Sequence, residues 1–183
     1  MSRLIPSLRP LATSSTRLAP QSIRTLTSTA PRLSLQNLFD TPDLPPLSVS
    51  KLTPKGFHLS DGLVVPGGLI FAGGRALLWD VDPPSEGAGG GIEGYWKGWR
   101  EERFRVFETV VPRPEILLLG TGERVVPAPK AIREYISSLG IQLDVMDSRN
   151  AASTYNLLTE EGRTIGAALC PLKPVDPRTG GPR

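Results

Sequence analysis

Two short polar runs hold the best residues for chemistry in this chain: Gly120-Thr121-Gly122 and Asp147-Ser148-Arg149-Asn150. Each follows an apolar run, ILLL at 116–119 and IQLDVM at 141–146. If those runs are parallel strands, both polar runs meet at one carboxyl edge, where open sheets hold ligands. Backbone N–H groups at glycines and helix starts can hold an anion there. A complete dinucleotide fingerprint is missing, because its third glycine falls on Val125 and the next helix begins only after Pro127. Close packing of a strand turn explains Gly120 and Gly122 as well and is the preferred reading. A small-ligand-binding protein or enzyme using Gly120–Gly122 and Asp147–Asn150 is the alternative.

Other reactive side chains are sparse. His58 is the only histidine; it falls on the outward side of a hairpin pattern and has no evident carboxylate partner. Ser148, Ser153 and Thr154 are hydroxyls without a base, and helix capping and packing account for them. Cys170 is the only cysteine, which excludes an internal disulfide and a cysteine-based zinc site. Its apolar neighbours make it a buried structural thiol. Glu160 and Glu161 stand at a helix C-terminus, where the dipole disfavours negative charge, and Arg163 offsets them. That group reads as a local surface pair, with a contact for a partner protein as the sharper alternative. No cluster has metal-ligand spacing. The sequence thus assigns no catalytic residue, no cofactor and no metal, and it leaves Gly120, Thr121, Gly122, Asp147, Ser148, Asn150, Glu161 and Arg163 as candidate ligand or partner-contact positions.

The elements that position these residues are legible from local pattern. The run at 116–119 is apolar throughout, as in a strand buried on both faces. Pro127 and Pro129 introduce a helix, where a missing N–H costs nothing. Ala131, Ile132, Tyr135, Ile136 and Leu139 recur at three and four, and Gly140 closes the helix. After a strand at 141–146, Asp147 or Ser148 caps a second helix with Ala151, Thr154, Tyr155 and Leu158 on one face. Gly162 ends it, and 164–169 is a closing strand. Consecutive strand–helix–strand units call for right-handed crossovers, hence an α/β domain over 55–172. Upstream, 56–65 forms a β-hairpin turning at Asp61-Gly62, and two further strands flank Gly73-Gly74. Residues 82–94 are Gly-rich and short of apolar side chains, which predicts a flexible surface insertion. A short helix over about 101–110 is stopped by Pro112 and Pro114. Its region carries Trp96, Trp99, Phe104 and Phe107 as core and Arg100, Arg103 and Arg105 as solvated charges, rather than a stacking surface for single-stranded nucleic acid.

At 183 residues one domain is the default. The net charge of +3 is unevenly placed: residues 1–39 hold five arginines and no acid. Of 21 basic residues 16 therefore remain against 18 acids from Asp40 onward, a balance of −2. That argues against a polyanion-binding body and so against nucleic acid. The leader, 1–35, mixes Arg, Ser and Thr with Leu, Ile and Ala, the composition of a mitochondrial transit peptide cleaved between Arg24 and Leu35. Residues 36–54 carry four prolines and read as a linker, and 173–183 as a disordered tail. No run reaches the roughly 18 apolar residues a membrane span needs.

The combination of LLLGTG at 117–122 with DSRNAASTYNLLTEEGR at 147–163 resembles the family of mitochondrial complex I (NADH:ubiquinone oxidoreductase) assembly factor 3 and its single-domain bacterial and archaeal relatives. Ala151, Thr154, Tyr155, Asn156, Leu158, Glu161, Gly162 and Arg163 match its helix pattern; the hairpin at Gly56 to Gly62 and Trp79 agree too. The likeness covers about residues 50–172. Residues 82–94 are an insertion, and Ser153 replaces a commoner cysteine or similar small residue. The resemblance implies a three-layer α/β fold in which a mixed β-sheet is flanked by helices. It further implies a non-catalytic, matrix-side protein that joins complex I subunits and another assembly factor in early intermediates, associating peripherally with the inner membrane through that complex.

Overall fold

The computed structural model describes residues 46–86 and 91–183. The expected transit peptide, the first part of the Pro-rich linker (36–45) and residues 87–90 of the Gly-rich stretch lie outside them.

Three strands form a small antiparallel sheet in the order β1 (Val49–Thr53), β2 (Gly56–Leu59), β3 (Val64–Pro66). Asp61 and Gly62 make the β2–β3 turn, where Asp61 Oδ1 accepts the Leu63 N–H at 2.9 Å. Five strands form the main sheet: β4 (Gly68–Ala72), β5 (Arg75–Trp79), β6 (Ile116–Gly120), β7 (Gln142–Met146) and β8 (Ile165–Leu169). Their spatial order is β5-β4-β8-β6-β7. β6 runs parallel to β7 and β8, whereas β4 is antiparallel to β5 and β8, so the sheet is mixed. The helices are α1 (Gly91–Tyr95), a 3-10 turn (Glu101–Phe104), α2 (Val106–Thr109), α3 (Lys130–Ser138) and α4 (Ser148–Glu160). None is long and apolar enough to cross a membrane among the described residues.

Alternation along β6 divides the core. Leu117 and Leu119 join Ile132 and Ile136 of α3, Phe104 and Phe107 on one face. Leu118 joins Tyr155 and Ala151 of α4, and Phe57, Leu59 and Val65 of the small sheet, on the other. The result is three layers with the main sheet in the middle. α3 and α4 take opposite faces because the chain moves outward from β6 to β7, then back past β6 to β8; right-handed crossovers in opposite directions must cover opposite faces.

Four expectations need correcting. The linker does not reach 54, since 49–53 form β1; its prolines flank that strand at 46 and 54, and Val49 is buried on the core. The tail over 173–183 is ordered: Val175 is buried and bridges Pro182, while Asp176 accepts the Arg178 N–H at 2.9 Å in a turn. One apolar anchor and an Asp-Pro turn suffice where composition suggested disorder. Within the Gly-rich stretch, α1 begins at Gly91 and presents Trp96, just beyond it, to the core. Ala131 is exposed, so the stripe narrows to the buried Ile132 and Ile136 of α3, flanked by the half-buried Tyr135 and, at the C-cap, Leu139.

Candidate functional site

Because β6, β7 and β8 are parallel, their carboxyl ends bring together Gly120–Gly122, Asp147–Asn150 and the segment after Leu169. The first two are the expected neighbours, and the third comes from the closing strand. Ser148 is fully buried between them. Its Oγ donates to the Cys170 carbonyl at 2.6 Å and accepts the Gly122 N–H at 2.8 Å. The Ser148 N–H donates to the Gly122 carbonyl at 2.9 Å, and the Cys170 N–H to the Gly120 carbonyl at 2.8 Å. A single hydroxyl thus joins three chain segments where an open sheet of this topology has its ligand crevice.

The glycines fit this closure. A Cβ on Gly120 would lie 2.8 Å from Ser148 Cα, and one on Gly122 2.9 Å from Pro83 Cβ. Gly122 also has φ of +98°, a left-handed conformation that only glycine adopts without strain. Thr121 is buried as well; its N–H donates to the Met146 carbonyl, while its Oγ1 donates to the Arg124 carbonyl at 2.7 Å and accepts the Val126 N–H at 3.1 Å.

The start of α4 is equally occupied. Asp147 is the cap: its Oδ1 accepts the N–H groups of Arg149 and Asn150, each at 3.0 Å, and its Oδ2 accepts from Asn150 Nδ2 at 2.6 Å. Glycine turn and helix start therefore satisfy their N–H groups with acceptors from the chain itself. As arranged, these residues tie strands and helix together, and no N–H of Thr121, Gly122, Arg149 or Asn150 points to a free acceptor position.

The two remaining candidate positions are on the surface. Glu161 and Arg163 are exposed beyond α4, and Arg163 reaches Glu115 at 3.7 Å. It pairs across the sheet end with Glu115 instead of offsetting Glu160 and Glu161, a contact of little energetic weight at that exposure. His58 is half-buried in β2, next to Lys51 and Val64 in register. Cys170 is wholly buried, and burial holds its thiol well above its ordinary pKa. Thiolate chemistry is closed to it in the folded chain.

Two features escaped the sequence reading. Asn156 uses its amide as a strand would: Oδ1 accepts the Val49 N–H at 2.9 Å and Nδ2 donates to the Val49 carbonyl at 2.8 Å. In the sequence Asn156 stands out only as a match to the family's helix pattern, one residue after Tyr155, with nothing to indicate Val49 as its partner. A cleft of about 650 Å³ lies between α3 and the 3-10 turn, with Trp96, Trp99, Arg100, Glu102, Lys130 and Tyr135 among its walls. Across it the Tyr135 hydroxyl donates to Glu108 Oε1 at 2.5 Å. Burial, then that bond, push the phenol up to about 12.

The family model described as a protein of unknown function (DUF498/DUF598) matches residues 49–170, which is the described body from β1 through the residue after β8. The bovine (Bos taurus) protein NADH dehydrogenase (ubiquinone) 1 alpha subcomplex assembly factor 3 is 36% identical over 120 residues, covering 62% of this chain and 58% of that protein. The match thus spans little more than half of that relative. A crystal structure from Bordetella parapertussis superposes with a TM-score of 0.57 at 24% identity, covering 71% of this chain and 99% of that one. An Mth938-like domain from Bordetella pertussis, solved by NMR, gives 0.53 at 22%, covering 70% and 87%. Both share the fold.

Proposed function

The chain belongs to the DUF498/DUF598 family, and from that premise we propose that it is an assembly factor for mitochondrial complex I, acting by binding polypeptides and not by catalysis. The observation carrying this reading is the 36% identity to a bovine relative that bears that name. The arrangement of the carboxyl edge supports it, since the amides that an anion or nucleotide would need already bond within the chain. In this reading the leader at 1–35 directs the chain to the matrix. There the body joins complex I subunits and a second assembly factor in an early intermediate, at the inner membrane only through that complex. Glu161 and Arg163, exposed at the end of α4, are proposed as partner contacts.

Deleting the gene and resolving respiratory complexes on a native gel tests the proposal. Full-size complex I is expected to fall sharply, and re-expression to restore it. A normal amount in the deletion strain overturns the reading. So does a large thermal-shift stabilisation by a nucleotide or small anion that Gly122→Val abolishes, because that result returns the sheet edge to ligand binding.

A further inference from the structure

Among the described residues the two sheets have four outer strands, and three of them carry a recognisable guard against pairing with another chain. β7 presents the exposed carboxylate of Asp144 at its centre. β1 has Lys51, a register break between Val49 and Lys51, and the Asn156 amide bonded to both backbone groups of Val49. β3 is three residues long and ends in Pro66. Short length, proline, bulges and central charges are the devices that keep sheet edges from pairing.

β5 has none of them. Its five residues pair with β4 in unbroken register, and among the described residues no strand pairs with its outer side. Its sequence, RALLW, has one charge, at the first position. Leu77 is 39% exposed and Leu78 is 55% exposed, one on each face of the sheet, because they pair with Ile70 and Leu69 of the two separate core clusters. A leucine on both faces of an edge that no described strand covers suits an added strand.

We propose that β5 is a self-association edge: two copies pair these strands antiparallel about a two-fold axis through Leu77, making one continuous ten-stranded sheet. The register follows from facing. A two-fold perpendicular to the sheet keeps each face on its own side, so Leu77 must oppose an odd-numbered partner. Centred on Leu77, it sets Leu77 against its own copy and Ala76 against Leu78 of the other chain. Ala76 is half-buried, and its side chain is a single methyl, the smallest partner on this strand for that leucine. Arg75 meets Trp79 and not a second Arg75, so no like charges oppose. The strand is complementary to itself, which argues for a second copy over an unrelated segment.

Sedimentation equilibrium of the full chain, at micromolar to tens of micromolar, tests this. The wild type is expected to reach the mass of two 19.7 kDa chains. Leu77→Glu and Leu77→Lys, each of which opposes like charges across the axis, are expected to be monomers, and an equal mixture of the two to recover the dimer. A wild type that stays monomeric overturns the proposal and leaves the edge to a partner's strand. Variants that dimerise unchanged, or a mixture that stays monomeric, overturn it too. Should circular dichroism show that the charged variants have lost their fold, Leu77→Thr keeps a strand-forming residue while removing apolar contact. It should weaken association by about tenfold or more, and unchanged association overturns the register.

Discussion

Ser148 shows how much one buried hydroxyl can determine. With alanine in its place, the Gly122 N–H and the Cys170 carbonyl lose a partner in a site closed to water, which costs on the order of 2 kcal/mol. Urea denaturation of Ser148→Ala should show a lowered midpoint with an unchanged slope. Asn156 acts over a greater sequence distance, holding Val49 across 107 positions. Asn156→Ala is expected to cost about 1–2 kcal/mol and to speed hydrogen exchange in β1 more than in β6. An even increase across both strands would show that the amide does not hold β1 specifically. Cys170 gives a third test at this scale. Its raised pKa stems from complete burial, so the folded chain favours the neutral thiol. The associated stability is fully present below the thiol's unfolded pKa and lost as pH rises above it. A thiol reagent at neutral pH should react only after denaturant is added; rapid labelling of the native chain would contradict the packing.

α4 is the element on which the site depends, since it supplies the cap, the hydroxyl and the amide clamp. Asp147→Ala removes the acceptor for two N–H groups and is expected to cost about 1 kcal/mol, with Asp147→Asn or Asp147→Ser recovering most of it. Thermal midpoints of the three variants check the order. α2 and α3 are linked by the Tyr135–Glu108 bond. Tyr135 is raised from 10.0 to about 12, so the folded state holds the phenol proton more tightly. The sign follows: this contribution is complete below pH 10 and disappears as pH rises through about 12. Tyr135→Phe should therefore flatten the alkaline limb of the stability profile, and an unaltered limb would refute the link.

Across the whole molecule, the C-terminal segment acts as a strap. It leaves β8, buries Val175, and ends with Arg183 paired to Asp80 and to Asp82, the latter at 3.1 Å. The charges are too exposed to contribute much, so Val175 is the anchor that counts. Val175→Asp should lower stability by about 1–3 kcal/mol, whereas Arg183→Ala should change it by less than about 1 kcal/mol. Equal effects would mean that the ion pairs, not the apolar contact, hold the strap.

Much of this architecture was already legible in the chain. The stripe from Ile132 to Leu139, a helix cap at Asp147 or Ser148, Gly140 and Gly162 as stops, and the Asp61-Gly62 turn each depend on residues within about one helical turn of one another. Such short-range chemistry survives in sequence because its partners are neighbours. Tertiary structure alone decided that β8 lies between β4 and β6, that the polar turns close on Ser148, that Asn156 reaches Val49, and that Val175 anchors a strap that composition had left loose. These outcomes join residues far apart along the chain. A period of two tells which face a strand buries but not which strand lies beside it, and a glycine turn looks alike in sequence whether its N–H groups await a ligand or already hold a serine.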